Sequence, residues 1–379
     1  MKSSWFKKNP SKTLFLFFIF VIICLAFITE KILVLKTKTA RSGIFRYIRL
    51  REHEPSRREF LTPDNNYNLP SKKYLFRTDK NGFILPSKIH DNPDISIVFL
   101  GGSGVECAYV DEESRFPYLV GRLIENNIGI KVNSYNSGVG GNNSLHSLDI
   151  LLNKLIPMNP DVAVMMHNFN DLNILLVVGD YWNEHTCRSP IAELKLLSVD
   201  TLKIIKNSTF PNLYREINKI FIRDKLSPDE FQSRRGQKIN INKTILINEF
   251  KMNLQMFINI CRTRDIIPIL MTMPSRLKHN PDATIINLMK TMEKDYGIGY
   301  EAYKEIFDLF NESIREVGAK NNVLVIDLAK KIPQEKEYMY DIMHFNTNGS
   351  KYAAIIIDKS MEPLIISVSR KKKNREGLH

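Results

Sequence analysis

The chain has 379 residues, 43% of them hydrophobic, enough for one large domain with an appendage. Its 54 Lys and Arg against 41 Asp and Glu give a formal charge of +13, a balance that alone would admit a nucleic-acid binder. The distribution argues against one. Residues 1–60 carry 13 basic and 4 acidic side chains, the last ten carry 5 and 1, and residues 61–369 are neutral. A nucleic-acid groove needs cations spread along a docking face, whereas basic ends on a neutral body suit contact with anionic lipid head groups. Cys24, Cys107, Cys187 and Cys261 form no CxxC or Cys/His pair with metal spacing, so no zinc site is expected. Three of them lie in the body, which leaves room there for one disulfide at most.

Residues 13–29, TLFLFFIFVIICLAFIT, form an uncharged apolar run behind Lys2, Lys7, Lys8 and Lys12. A bilayer takes about 20 residues of helix, and residues 32–35 extend the run. No small-x-small cleavage pattern follows it, so residues 1–36 are expected to be a short stub and an uncleaved signal anchor. Lys36, Lys38, Arg41, Arg46, Arg49 and Arg51 come next, and by Lys/Arg count the C-terminal side would be cytoplasmic.

Residues 37–94 are charged and Pro-rich and read as a linker and lead-in. A regular alternation then begins. Residues 95–100 (ISIVFL) are a continuous apolar, β-branched run ending in Gly101-Gly102, the pattern of a buried parallel strand. Helical spacing follows over 116–126, a short strand over 131–135, a helix over 144–155 and a buried strand over 162–166. Residues 172–245 break the rhythm and read as an insertion able to cap a site. A helix over 247–264, a strand over 266–271, a helix over 301–319, a strand over 323–327 and a last helix from about 348 complete the body. Strands separated by helices imply βαβ units and an open, mostly parallel sheet covered on both faces. Such sheets carry their sites beyond the carboxyl ends of the strands.

Four sequence pieces fall at that edge. Ser103 sits in Leu100-Gly101-Gly102-Ser103-Gly104, where glycines allow the tight turn that exposes a nucleophilic hydroxyl. GGSGVE fits neither phosphate-loop pattern. In Asp341-Ile342-Met343-His344, a carboxylate three residues before an imidazole can orient a general base. The Gly-rich stretch 136–142 offers backbone N–H groups, and Asn168-Phe169-Asn170-Asp171 offers a side-chain amide, as an oxyanion site needs. Each piece also has an ordinary reading as a turn or helix cap. His146 and His167 read as packing or substrate-contact residues, and His185 and Cys187 are too isolated to assign. Phe169, Tyr181 and Trp182 read as core residues that could otherwise line a sugar or acyl pocket.

The order strand-Gly-Ser, N-x-G-x-x-G, N-D after a P-D-hydrophobic strand, and D-x-x-H before the last helix resembles the blocks of the SGNH/GDSL hydrolases. The resemblance runs from about Gly82 to the final helix, interrupted by residues 172–245. It looks closest to a membrane-anchored bacterial branch whose first block reads Gly-Gly-Ser, with Asn81-Gly82-Phe83 similar to its lead-in. It implies a three-layer α/β/α sandwich with a mostly parallel, flavodoxin-like sheet over residues 95–365, followed by a basic tail over 366–379. It also implies Ser103 as nucleophile and first oxyanion donor, Gly141 as second donor, and Asn170 as third. His344 would be the base and Asp341 its orienting carboxylate. Gly102 stands where the family usually has Asp, and Asn168 where it usually has Gly.

The activity so implied is ester hydrolysis through an acyl-serine, deacylating (for example deacetylating) a cell-envelope glycan or lipid with no metal or organic cofactor. Against the Lys/Arg count, the resemblance puts the body on the periplasmic face of a bacterial inner membrane, with no nucleic-acid partner. Two other readings fit the same residues. One is an O-acyltransferase served by an acyl-carrying membrane partner; the other is a non-catalytic, membrane-tethered glycan- or lipid-binding module.

Overall fold

The computed structural model describes residues 8–37, 50–64, 67, 69–182, 209–210, 212–213, 217 and 241–376. Two units emerge, one from residues 1–45 with 193–229 and one from residues 46–192 with 230–379.

In the first unit, helix α1 (Pro10–Thr37) contains a stretch, Pro10–Leu33, that is long and apolar enough to cross a membrane. Phe17, Phe18 and Phe20 stand exposed on it, as lipid-facing side chains would. Its one acid, Glu30, is buried and accepts hydrogen bonds from the Asn212 amide (2.7 Å), the Asn212 N–H (3.2 Å) and the Leu213 N–H (2.7 Å). Phe210 packs edge-on against Phe27 at 4.7 Å. The described centre of the 172–245 insertion therefore satisfies a helix carboxylate. His185 and Cys187 lie outside the described residues.

The second unit is built on five parallel strands: β3 (Ile95–Gly101), β4 (Val132–Gly138), β5 (Val162–Met166), β6 (Ile267–Met271) and β7 (Leu324–Ile326), in the order β4-β3-β5-β6-β7. Counted along this sheet the order is 2-1-3-4-5, the flavodoxin-like doubly wound arrangement. The central strands β3, β5 and β6 are predominantly apolar because helices cover both faces, whereas β4 at the edge buries Asn133, Ser134, Asn136 and Ser137. Helix α3 (Phe116–Ile128) packs with the last helix, α10 (Thr347–Glu376); α4 (Ser144–Ile150), α6 (Lys243–Thr263) and α8 (Tyr300–Lys320) pack together in another layer. The unit is a three-layer α/β/α sandwich.

Four details differ from the sequence reading. Helix α5 (Phe169–Val178) carries the alternation ten residues further, as a buried helix of the body. Helices α7 (Ala283–Tyr296) and α9 (Leu328–Lys331) were not predicted; α7 inserts between β6 and α8, and α9 is one turn after β7. The stretch 151–155 completes its helix as a single π turn. Helix α10 runs through the expected basic tail, and Lys372 turns back to Asp161 at 3.0 Å and to the Asp94 carbonyl at 3.0 Å. Cys107 and Cys261 are buried free thiols.

The lead-in is folded as well. Strands β1 (Arg58–Leu61) and β2 (Tyr74–Arg77) form an antiparallel hairpin, and the Ile84 N–H bonds the Asn136 carbonyl at 3.0 Å, covering the outer edge of β4. Arg115, 1% exposed, ties this region to the body by donating to the carbonyls of Leu85 (2.8 Å), Leu75 (3.0 Å) and Cys107 (3.3 Å).

Candidate active site

Ser103 opens helix α2 (Ser103–Glu106) directly after β3, with Gly102 as its cap. The helix closes after one turn on Cys107, which is in the left-handed region at φ 54°. This abrupt strand-to-helix reversal brings the hydroxyl to the carboxyl edge of the sheet. The loop before α10 delivers the partners. The Ser103 Oγ lies 2.7 Å from His344 Nε2, and His344 Nδ1 lies 2.6 Å from Asp341 Oδ2. Asp341 Oδ1 accepts the backbone N–H groups of Met343 (3.0 Å) and His344 (2.9 Å), which fixes the carboxylate. A carboxylate only accepts, so Nδ1 carries its hydrogen toward Asp341 and Nε2 accepts from Ser103.

Electrostatics follow from this line. Burial opposes charge on both groups, but each is outweighed by the other. The Asp341 carboxyl would be pushed up by desolvation, yet His344 and the two N–H donors hold it below its usual value. His344 would be pushed down, yet the Asp341 charge and hydrogen bond raise it above 6.5. An imidazolium cannot accept the serine proton, so the raised value moves activity to higher pH. The kcat/KM profile for an ester is expected to rise with an acid-limb midpoint above 6.5. A limb centred below that value would contradict the pairing.

Tyr340 lies parallel to the His344 ring, 5.5 Å away at an interplanar angle of 8°. Tyr67 and Tyr109 pack on Tyr340 at 5.0 and 5.9 Å. Burial, then the Asp341 charge, pushes the Tyr67 phenol up to about 12, so it stays neutral. Sequence reading missed this group because its members are 231 and more residues from 340 or adjacent to the motif without belonging to it.

The second and third donor segments meet beside the serine. Val139 N–H bonds the Gly101 carbonyl (3.1 Å) and Asn142 N–H bonds the Val139 carbonyl (3.0 Å), closing a turn that contains Gly141 at φ 80°. The Asn170 amide donates to the Asn142 carbonyl at 2.8 Å. A Cβ on Gly102 would stand 2.5 Å from that amide nitrogen and 2.9 Å from the Asn142 oxygen. The missing side chain at 102 therefore makes room for Asn170. Asn168 turns away, its buried amide donating to the Phe307 carbonyl at 2.9 Å.

A second Ser-His-Asp line lies beneath the surface. Ser147 Oγ is 2.7 Å from His167 Nε2, and His167 Nδ1 is 3.5 Å from Asp171 Oδ2. All three are buried, out of reach of substrate. Burial drops His167 to about 3 and lifts Asp171 to about 6. Asp171 also accepts from the Ser144 N–H (2.9 Å) and the Tyr181 hydroxyl (2.7 Å), so this network holds α4 to α5. His146 closes a capping box with Asn143, and Phe169 packs edge-on against Tyr303. His167→Ala is expected to lower stability by about 3 kcal/mol, by leaving buried polar partners and a cavity, with kcat per folded molecule retained. Thermal denaturation beside a turnover assay measures both.

A cavity of about 560 Å³ opens along α8, between Glu301, Glu305, Asp308, Glu312, Lys304 and Arg315. It includes none of the triad. Met273, which lines it, also approaches the turn at Ser103, its methyl 3.7 Å from where a Gly104 Cβ would stand. Ester chemistry needs a hydroxyl beside a base, so the candidate site is the one at Ser103.

The sequence model of the GDSL-like Lipase/Acylhydrolase family matches residues 96–352, a span that holds all five candidate residues. The chain belongs to this family. Solved structures similar to this GDSL-like protein include a lipase/acylhydrolase from Enterococcus faecalis, at 18% identity and a TM-score of 0.39 over 71% of this chain and 96% of that one. Axe2, an acetylxylan esterase from Geobacillus stearothermophilus, is 13% identical at a TM-score of 0.39, over 70% and 92%. A GDSL-like lipase from Bacteroides thetaiotaomicron is 12% identical at 0.39, over 72% and 89%. No curated relative matches the sequence.

Proposed function

We propose that this GDSL-like chain hydrolyses an acyl ester of a cell-envelope glycan through an acyl-serine intermediate. The observation that carries the reading is the continuous hydrogen-bonded line from Ser103 through His344 to Asp341, 2.7 and 2.6 Å long. Ser103 Oγ attacks the ester carbonyl as its proton passes to His344 Nε2. The oxyanion is held by the Ser103 and Gly141 N–H groups and the Asn170 amide. The tetrahedral species collapses, and His344 gives the proton to the departing alcohol. Water, activated by His344 in turn, then releases the acid and restores the serine. The phenol Tyr340 stacks on the imidazole that protonates the alcohol, and Tyr67 and Tyr109 pack against Tyr340. Tyrosine combines an apolar face with a hydrogen-bonding tip, which favours a polyol over an alkyl chain. The apolar helix α1 would tether the enzyme to the inner membrane with its body periplasmic.

The test is to mix the full-length chain, in detergent micelles, with an activated acetyl ester, quench in acid and map the modified peptide. An acetyl group on Ser103, accumulating before steady state, is expected. Hydrolysis without any acyl-peptide adduct, or an adduct elsewhere, would refute the mechanism. A folded protein that turns over no ester would favour the binding-module reading.

A further inference from the structure

Gly141 presents a problem that the proposed chemistry must solve. Its N–H has to point at one spot for the oxyanion, yet it lies between Gly140 and Asn142 in a stretch whose glycines give the backbone the most freedom to lose. Inner contacts hold one side of this turn, through Val139 on Gly101. The outer side is held by a residue from the lead-in.

Arg51 grips the turn on both sides of Gly141. Its guanidinium Nη2 donates to the Gly140 carbonyl at 3.2 Å, and its own carbonyl accepts from the Asn142 amide at 3.0 Å. Between these contacts the guanidinium lies against Gly141 itself, since a Cβ there would meet Nη2 at 2.6 Å. Asn142 extends the grip, because its carbonyl takes the Asn170 amide at 2.8 Å. Both donors beyond Ser103 thus hang on a turn that Arg51 clasps.

The clasp is itself anchored residue by residue. Glu52 pairs with the buried Lys154 ammonium at 2.9 Å, and that ammonium also lies 4.1 Å from the centre of the Phe83 ring. His53 is buried, 2.9 Å from Glu106, which belongs to the same one-turn helix as Ser103. Arg57 donates to His53 Nδ1 at 3.0 Å, which leaves Nε2 to carry the proton toward Glu106. Residues 51, 52 and 53 therefore each seize a different part of the body, two of them at the nucleophile helix or the donor turn. A plain linker would make no such run of contacts.

We propose that Arg51 is a positioning residue that fixes the oxyanion donors Gly141 and Asn170, a role that rests on the hydrolase reading above. A flat, two-pronged guanidinium suits a carbonyl clasp better than an ammonium, which concentrates its charge at a point on a flexible stem. Misplaced donors stabilise the transition state less while leaving ground-state binding alone, so the effect falls on kcat.

The experiment compares full-length wild type, Arg51→Ala and Arg51→Lys in detergent with an activated acetyl ester. Arg51→Ala is expected to lower kcat about 10- to 100-fold, with KM changed less than about twofold and the acid limb of the pH profile unmoved. Arg51→Lys recovers part of the loss, and guanidinium chloride at about 50 mM restores part of it to Arg51→Ala but not to wild type. Hydrogen exchange of peptides covering residues 138–143 is expected to speed up in Arg51→Ala while β3 and β5 stay protected. A kcat per folded molecule equal to wild type, or a loss confined to KM, would overturn the role. If wild type turns over no ester, the hydrolase reading fails by itself. Exchange over 138–143 then decides the clasp, and an unchanged rate in Arg51→Ala removes it.

Discussion

Ser103→Ala is expected to lower kcat for ester hydrolysis by about 10,000-fold or more while leaving the melting temperature almost unchanged. The hydroxyl makes one described hydrogen bond, the 2.7 Å contact with His344. The imidazole keeps its 2.6 Å tie to Asp341 without it, and the carboxylate keeps its two backbone donors. Little of the fold depends on that oxygen, whereas the whole covalent route does. His344→Ala should cost about as much, and the double variant little more, because members of one catalytic unit do not add. Steady-state turnover of the three variants, with melting curves beside them, checks the pattern. Multiplicative losses would mean that the two side chains do not act on the same step.

Gly102→Asp, which installs the residue that the family usually carries before its serine, is expected to lower kcat at least about 100-fold here. The backbone at 102 is extended, so an L residue suffers no φ strain; the cost is space. The new Cβ would fall 2.5 Å from the Asn170 amide nitrogen and 2.9 Å from the Asn142 carbonyl oxygen. The oxygen is backbone, and the amide nitrogen, although a side-chain end, is buried and held to that oxygen at 2.8 Å. Relief must come from moving the third donor or the turn that carries the second. Gly102→Ala brings the same Cβ and should lose nearly as much, which separates crowding from charge. Kinetics on a small activated ester, where KM is insensitive to glycan contacts, read the effect. Retention of more than about a third of wild-type kcat would show that Asn170 is not held against residue 102.

Much of this was legible in the sequence for physical reasons. Residues 97–100 and 162–166 are uninterrupted apolar runs with Gly, Pro and Asn close by, and a strand buried on both faces needs such a run. Ser103 and His344 are 241 residues apart, but each follows a recognisable local signal, so their convergence at the sheet edge could be anticipated. Helix α7 was hidden because its buried Ile285, Met289 and Tyr296 are diluted by Lys, Thr and Glu. The hairpin was hidden because REFL and YLFR are four residues each and carry charge. Arg51 could not be found at all. Its partner Gly140 is 89 residues away, and nothing in a basic stretch behind an apolar helix distinguishes a clasp from a topogenic charge. The same holds for Asn168, whose side chain is accommodated by a carbonyl on Phe307, 139 residues distant.

The central claim is that Ser103 is a nucleophile activated by His344. Its most direct test is exposure of the full-length protein in detergent to a fluorophosphonate probe, with the adduct located by peptide mass spectrometry. The account predicts a single adduct on Ser103, lost in Ser103→Ala and slowed severely in His344→Ala. A folded wild-type protein that takes up no probe, or that takes it up on another residue, would contradict it.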